Sequence, residues 1–90
     1  KSSGTEIYYY CPQSKDLAHN ILDSITKYTG TKNNGVKQQS FAVIRNTQCL
    51  SVLIELAYII NPEDNANLID RDFQEKAADA IVKGLEIYLK

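Results

Sequence analysis

Apolar residues recur with two different periods along the chain. Residues 5–10 (TEIYYY) are rich in strand formers and are stopped by Cys11-Pro12, which predicts a strand. Leu17, Ala18, Ile21, Leu22, Ile25 and Tyr28 then fall on one face of a helix over about 14–29. Ser14 stands where a cap belongs, Asp16 favours the positive end of the helix dipole, and Gly30 supplies a C-terminal stop. Residues 31–40 (TKNNGVKQQS) are polar throughout and read as a loop. Residues 41–45 read as a short strand, and 51–59 as a second, so nearly all apolar that both its faces should be buried. Asn61-Pro62-Glu63-Asp64 starts a short helix, with an amide cap, a first-turn proline and then acids. Asp70 opens a last helix over 71–89, whose stripe is Phe73, Ala77, Ile81, Leu85 and Tyr88.

The order is strand, helix, strand, strand, short helix, helix, which is α/β character. Three strands and two main helices give thin cover for a sheet with two faces to protect. The expectation is therefore a part of a three-layer, mixed-sheet fold whose sheet continues in residues outside this chain. Because the chain starts at Lys1 without a methionine, its start reads as internal, with any targeting signal upstream.

Glu55 is where the local pattern breaks. It sits in Val52-Leu53-Ile54-Glu55-Leu56-Ala57-Tyr58, where every neighbour is apolar. A buried, uncompensated carboxylate costs several kcal/mol, so something must offset it. Three placements satisfy the pattern: a side chain pointing out of a half-exposed strand, a pair with a buried cation such as Arg45, or projection into a cleft at the strand's end. The residues alone leave all three open.

Composition narrows the function classes. Ten Lys and Arg against eleven Asp and Glu give a net charge of −1, and the pI is about 5.7. There is no electrostatic case for nucleic acid. The longest apolar run, 50–60, is interrupted by Glu55 and too short to span a bilayer. Cys11 follows one predicted strand and Cys49 precedes another; if those strands are parallel, the thiols lie on the order of 15–20 Å apart. That exceeds the roughly 7 Å between Cα atoms that a disulfide bridges, so both read as reduced. His19, the only histidine, lies off the apolar stripe of its helix and reads as exposed. One histidine and two separated cysteines do not make a zinc site, which takes three or four ligands. Tyr8, Tyr9 and Tyr10 alternate along a strand and read as sheet packing before sugar stacking.

Several segments, in order, resemble the catalytic domain of the zinc-dependent N-acetylmuramoyl-L-alanine amidases of bacterial cell-wall lysis, a family that also occurs in phage endolysins. Gly4-Thr5-Glu6-Ile7-Tyr8-Tyr9-Tyr10 is similar to its G-T-E-x-Y-Y-Y strand. Leu17-Ala18, Gly35-Val36-Lys37 and Val43-Ile44-Arg45-Asn46-Thr47 match further blocks. The block around Val52-Leu53-Ile54-Glu55, ending at Asn61, is the most specific, and Ala77, Asp79, Ala80, Ile81 and Gly84 fit the closing helix. Leu50, Ser51 and Ala57 stand where the family usually has proline, alanine and glycine.

The resemblance implies a peptidoglycan hydrolase that cleaves the amide between N-acetylmuramic acid and the L-alanine of the stem peptide. It implies that residues 1–90 are the C-terminal portion of a single amidase catalytic domain, acting outside the cell or in the wall. In the family a zinc-activated water attacks the amide, and the glutamate that aligns with Glu55 is the general base. The family's zinc ligands, a His, a Glu and a second His, lie before the G-T-E strand, so none is carried over to this chain and the isolated chain is expected to be inactive. Its expected partners are peptidoglycan and the N-terminal part of the domain. Two other readings stand beside this one: a non-catalytic wall-binding or scaffolding piece that kept the fold, and a related zinc peptidase.

Overall fold

The computed structural model describes residues 4–45, 50–56 and 71–90. Three strands, β1 (Thr5–Tyr9), β2 (Asn33–Gln38) and β3 (Leu53–Leu56), form one mixed sheet in the order β2-β1-β3. The central strand β1 pairs parallel with β2 and antiparallel with β3. A parallel neighbour needs a crossover, and α1 (Lys15–Thr29) supplies it after a 3-10 turn at Pro12–Ser14. A single helical turn, α2 (Ala42–Arg45), follows β2, and α3 (Arg71–Leu89) ends the chain. The α/β class and the mixed sheet are those that the sequence predicts.

The core lies between one sheet face and α1. Ile7 and Tyr9 of β1 bury against Leu17, Ala18, Ile21, Leu22 and Ile25, with Val36, Ile54 and Leu56 packed at the margin. Strand alternation therefore sends Glu6, Tyr8, Lys37, Leu53 and Glu55 to the opposite, outer face. Gly4 begins β1 at a φ of 128°, where a Cβ would meet the Lys32 carbonyl oxygen at 2.5 Å. That close approach lets Thr5 N–H donate to the same oxygen at 2.8 Å and fixes where β1 starts.

Helix α1 closes as its sequence predicts: Gly30 adopts a φ of 75° and its N–H donates to the Thr26 carbonyl. Its start differs. Ser14 makes no side-chain cap; its Oγ accepts from the backbone N–H of Ser51 at 3.1 Å, tying the helix start to the approach to β3.

Two elements are exchanged relative to the sequence reading. Residues 33–38, polar enough to read as a loop, are the edge strand β2. An edge strand with solvent around it needs little apolar area, and only Val36 of β2 packs against the core. Residues 41–45, read as a strand, wind into α2, where the N–H groups of Ile44 and Arg45 both donate to the Phe41 carbonyl. Ile44 alone of that turn is buried, so one inward side chain satisfies the segment without sheet pairing. β3 also differs from the expected doubly buried strand: Leu53, Ile54 and Leu56 are half-buried and Glu55 is exposed.

The stripe of α3 is rotated from the predicted one. Phe73, Ala77, Ala80 and Gly84 are buried, whereas Leu85 is 40% exposed. Small residues win the contact because α3 lies close against α1: Ser24 Oγ donates to the Ala80 carbonyl at 2.5 Å. The expected separation of the two thiols loses its premise, because β1 and β3 run antiparallel. Cys11 is a free, half-buried thiol. Cys49 and the helix expected after Asn61 lie outside the described residues.

Candidate functional site on the outer sheet face

Glu6 and Glu55 are direct partners across the β1–β3 ladder, as are Tyr8 and Leu53. Directly opposed side chains on one face have Cβ atoms about 4.5–5.5 Å apart, and like charges in that position repel. The two carboxylates are handled differently. Glu6 is only 6% exposed. The Tyr8 hydroxyl donates to its Oε1 at 2.8 Å, and the Lys37 ammonium forms an ion pair with its Oε2. Lys37 is itself held in place, since its Nζ also donates to the Asn34 carbonyl at 3.0 Å. Tyr8 is braced from the other side by an edge-on contact with Phe41, ring centroids 5.2 Å apart.

Glu55 is exposed and, among the described residues, its side chain has neither hydrogen-bond nor ion-pair partner. The pairing with Arg45 does not form; the Arg45 guanidinium donates to Ser40 Oγ at 3.1 Å. Of the three placements open to Glu55, the geometry corresponds to a side chain leaving a half-exposed strand. The arrangement is thus a free carboxylate beside a neutralised one, on a face whose reverse side is the core. A free carboxylate in such a position can accept a proton or contact a cation.

The remaining candidates separate. His19 is exposed on α1. Among the three tyrosines, Tyr9 is core, Tyr8 holds Glu6, and Tyr10 is exposed at the end of the strand. Among the described residues, no group of three His, Cys, Asp or Glu side chains is placed to hold a metal ion. Glu6 is the residue that the sequence reading passed over. The signal was present as strand alternation, which puts Glu6 and Tyr8 together opposite Ile7 and Tyr9, but the ion pair depends on β2, which its polarity disguised.

Comparison with known proteins gives a consistent set of relatives. A family model described as N-acetylmuramoyl-L-alanine amidase matches residues 1–87. The uncharacterized protein YqiI of Bacillus subtilis is 41% identical over 91 residues, covering 97% of this chain and 44% of its own length. The probable cell wall amidase LytH of Staphylococcus saprophyticus is 34% identical over 98% of this chain and 30% of that relative. Among solved structures, the catalytic domain of the amidase CwlV from Bacillus (Paenibacillus) polymyxa matches with a TM-score of 0.91 and 38% identity. That match covers 98% of this chain and 49% of CwlV's. An N-acetylmuramoyl-L-alanine amidase from Clostridium difficile 630 matches at 0.94 and 27% identity, over 99% of this chain and 50% of that one. This chain spans less than half the length of the curated relatives it matches.

Proposed function

Because the chain belongs to the N-acetylmuramoyl-L-alanine amidase family, we propose that the protein carrying it hydrolyses peptidoglycan at the amide between N-acetylmuramic acid and L-alanine. Glu55 is the general base. The observation that carries this assignment is an exposed carboxylate, without a partner among the described residues, in a strand whose other members pack apolar side chains. Solvent exposure alone would also accommodate it there; what favours the base is that Glu55 stands in the Val52-Leu53-Ile54-Glu55 block, where the family's general base aligns. Its substrate is the wall polymer, and it acts outside the cell or in the wall. Among the described residues no helix is long and apolar enough to cross a membrane.

The chemistry assigned to this chain is a proton relay. The Glu55 carboxylate takes a proton from water as the water oxygen bonds to the lactyl carbonyl carbon. The carbon–nitrogen bond then breaks, and the Glu55 carboxylic acid gives its proton to the departing L-alanine nitrogen. The products are the lactyl carboxyl group of the sugar and a stem peptide with a free amino terminus. Among the described residues, no group of His, Cys, Asp or Glu side chains fits a zinc site. The zinc used by the family belongs, on this reading, to the half of the domain that this chain does not span.

Product analysis tests the reading. Muropeptides incubated with the complete amidase domain should yield stem peptides beginning with L-alanine and glycan carrying a free lactyl carboxylate. Cleavage within the stem peptide, or binding to the wall without cleavage, would overturn it.

A further inference from the structure

The position of Glu6 calls for an explanation beyond the fold. Placing two carboxylates directly opposite each other on β1 and β3 is unfavourable, and burying one of them adds a desolvation cost. A tie between β1 and β2 needs neither feature; a neutral pair would serve. The placement does have one consequence for Glu55. The Lys37 ammonium reaches the outer face and sits on the Glu6 carboxylate, one cross-strand step from Glu55. Lys37 stands on β2 opposite Tyr8, with β1 between it and Glu55, and lysine is a flexible point charge with three donors, free to turn toward another carboxylate on the same face once Glu6 no longer holds it. With Glu6 and Asn34 holding the ammonium, Glu55 stays unpaired among the described residues.

We propose that Glu6 is a positioning residue that sequesters Lys37, so that the neighbouring Glu55 carboxylate remains free to act as a base. The inference rests on the assignment of Glu55 as the base. Tyr8 completes the device, because its hydroxyl occupies the other Glu6 oxygen and fixes the carboxylate toward β2. Without the Glu6 charge, Lys37 transfers to Glu55, and a base held in an ion pair accepts a proton less readily.

A charge-rescue experiment in the complete amidase domain tests this. Glu6→Gln should lower kcat roughly fivefold, the population effect of a half-exposed ion pair on Glu55, with KM and melting temperature nearly unchanged. The loss should shrink at high salt, which screens that pair. Adding Lys37→Met to Glu6→Gln should restore kcat, because the competing cation is gone. A purely structural ion pair predicts otherwise: kcat would follow thermal stability alone, and the double variant would gain no turnover over Glu6→Gln. That result, or a Glu6→Gln enzyme with the kcat of its parent, would overturn the proposal. Glu55→Gln is the control that separates the two levels. Turnover that survives it overturns the Glu55 assignment and this inference together. Turnover that Glu55→Gln abolishes, but that Glu6→Gln leaves intact, overturns this inference alone.

Discussion

Glu6 is nearly buried and its partner Lys37 is about half exposed, so the ion pair between them is asymmetric. Removing the lysine leaves a desolvated carboxylate next to Glu55, whereas removing the acid leaves an ammonium that water can solvate. Lys37→Met should therefore destabilise the protein by about 2 kcal/mol, below the 3–5 typical of a fully buried pair because Lys37 is partly solvated. Glu6→Gln should change stability by well under 1 kcal/mol. Urea melts of the two single variants check the order, and equal losses would contradict it. At this scale the sequence was partly legible. Glu55 stands out because apolar neighbours surround it, and His19 reads correctly as exposed. Glu6 does not stand out, because its burial depends on a lysine 31 positions away in sequence, on a strand that polarity hides.

Elements whose signals are local are legible in the sequence. Helix α1 ends at Gly30 because a left-handed residue and a freed N–H terminate it, and α3 begins and ends where its periodicity says. Elements whose signals are tertiary are not. β2 owes its strand conformation to pairing with β1, and α2 to a turn around the Phe41 carbonyl, neither of which a short window contains. The face of α3 is also a tertiary decision. Gly84 lies so close to α1 that a Cβ would meet Ile21 Cα at 2.8 Å and the Asn20 carbonyl oxygen at 2.9 Å. Both obstacles are backbone, so no rotamer change relieves them. Gly84→Ala gains about 1 kcal/mol of helix propensity, but overpacking costs typically 1–3 kcal/mol, and rigid backbone contacts put it at the upper end. A net loss of about 1–2 kcal/mol, or a fall in melting temperature of roughly 4–8 °C or more, is expected. Leu85→Ala, on the exposed side of the same helix, is the control and should change the melting temperature far less. An unchanged or raised melting temperature for Gly84→Ala would contradict the close packing of α1 and α3.

Taken whole, the described residues form a three-stranded mixed sheet with α1 packed on one face, α3 packed on α1, and a carboxylate pair on the other face, matching about half of the CwlV catalytic domain and of the Clostridium difficile 630 amidase. No metal-holding group occurs among its described residues, and His19 stands alone on α1. The 90-residue chain by itself should therefore retain no stoichiometric zinc after gel filtration, while the complete amidase domain should retain about one per molecule. Elemental analysis of both decides this, and one tightly held zinc in the monomeric chain would contradict the division of labour between the two halves. The most direct test of the central claim is the turnover of Glu55→Gln in the complete domain, measured as release of stem peptides beginning with L-alanine and run beside a thermal melt. The amide is nearly isosteric and Glu55 is exposed, so the fold and melting temperature should be kept while turnover falls by about 100-fold or more, as for loss of a general base. Near-normal turnover in that variant would contradict the account.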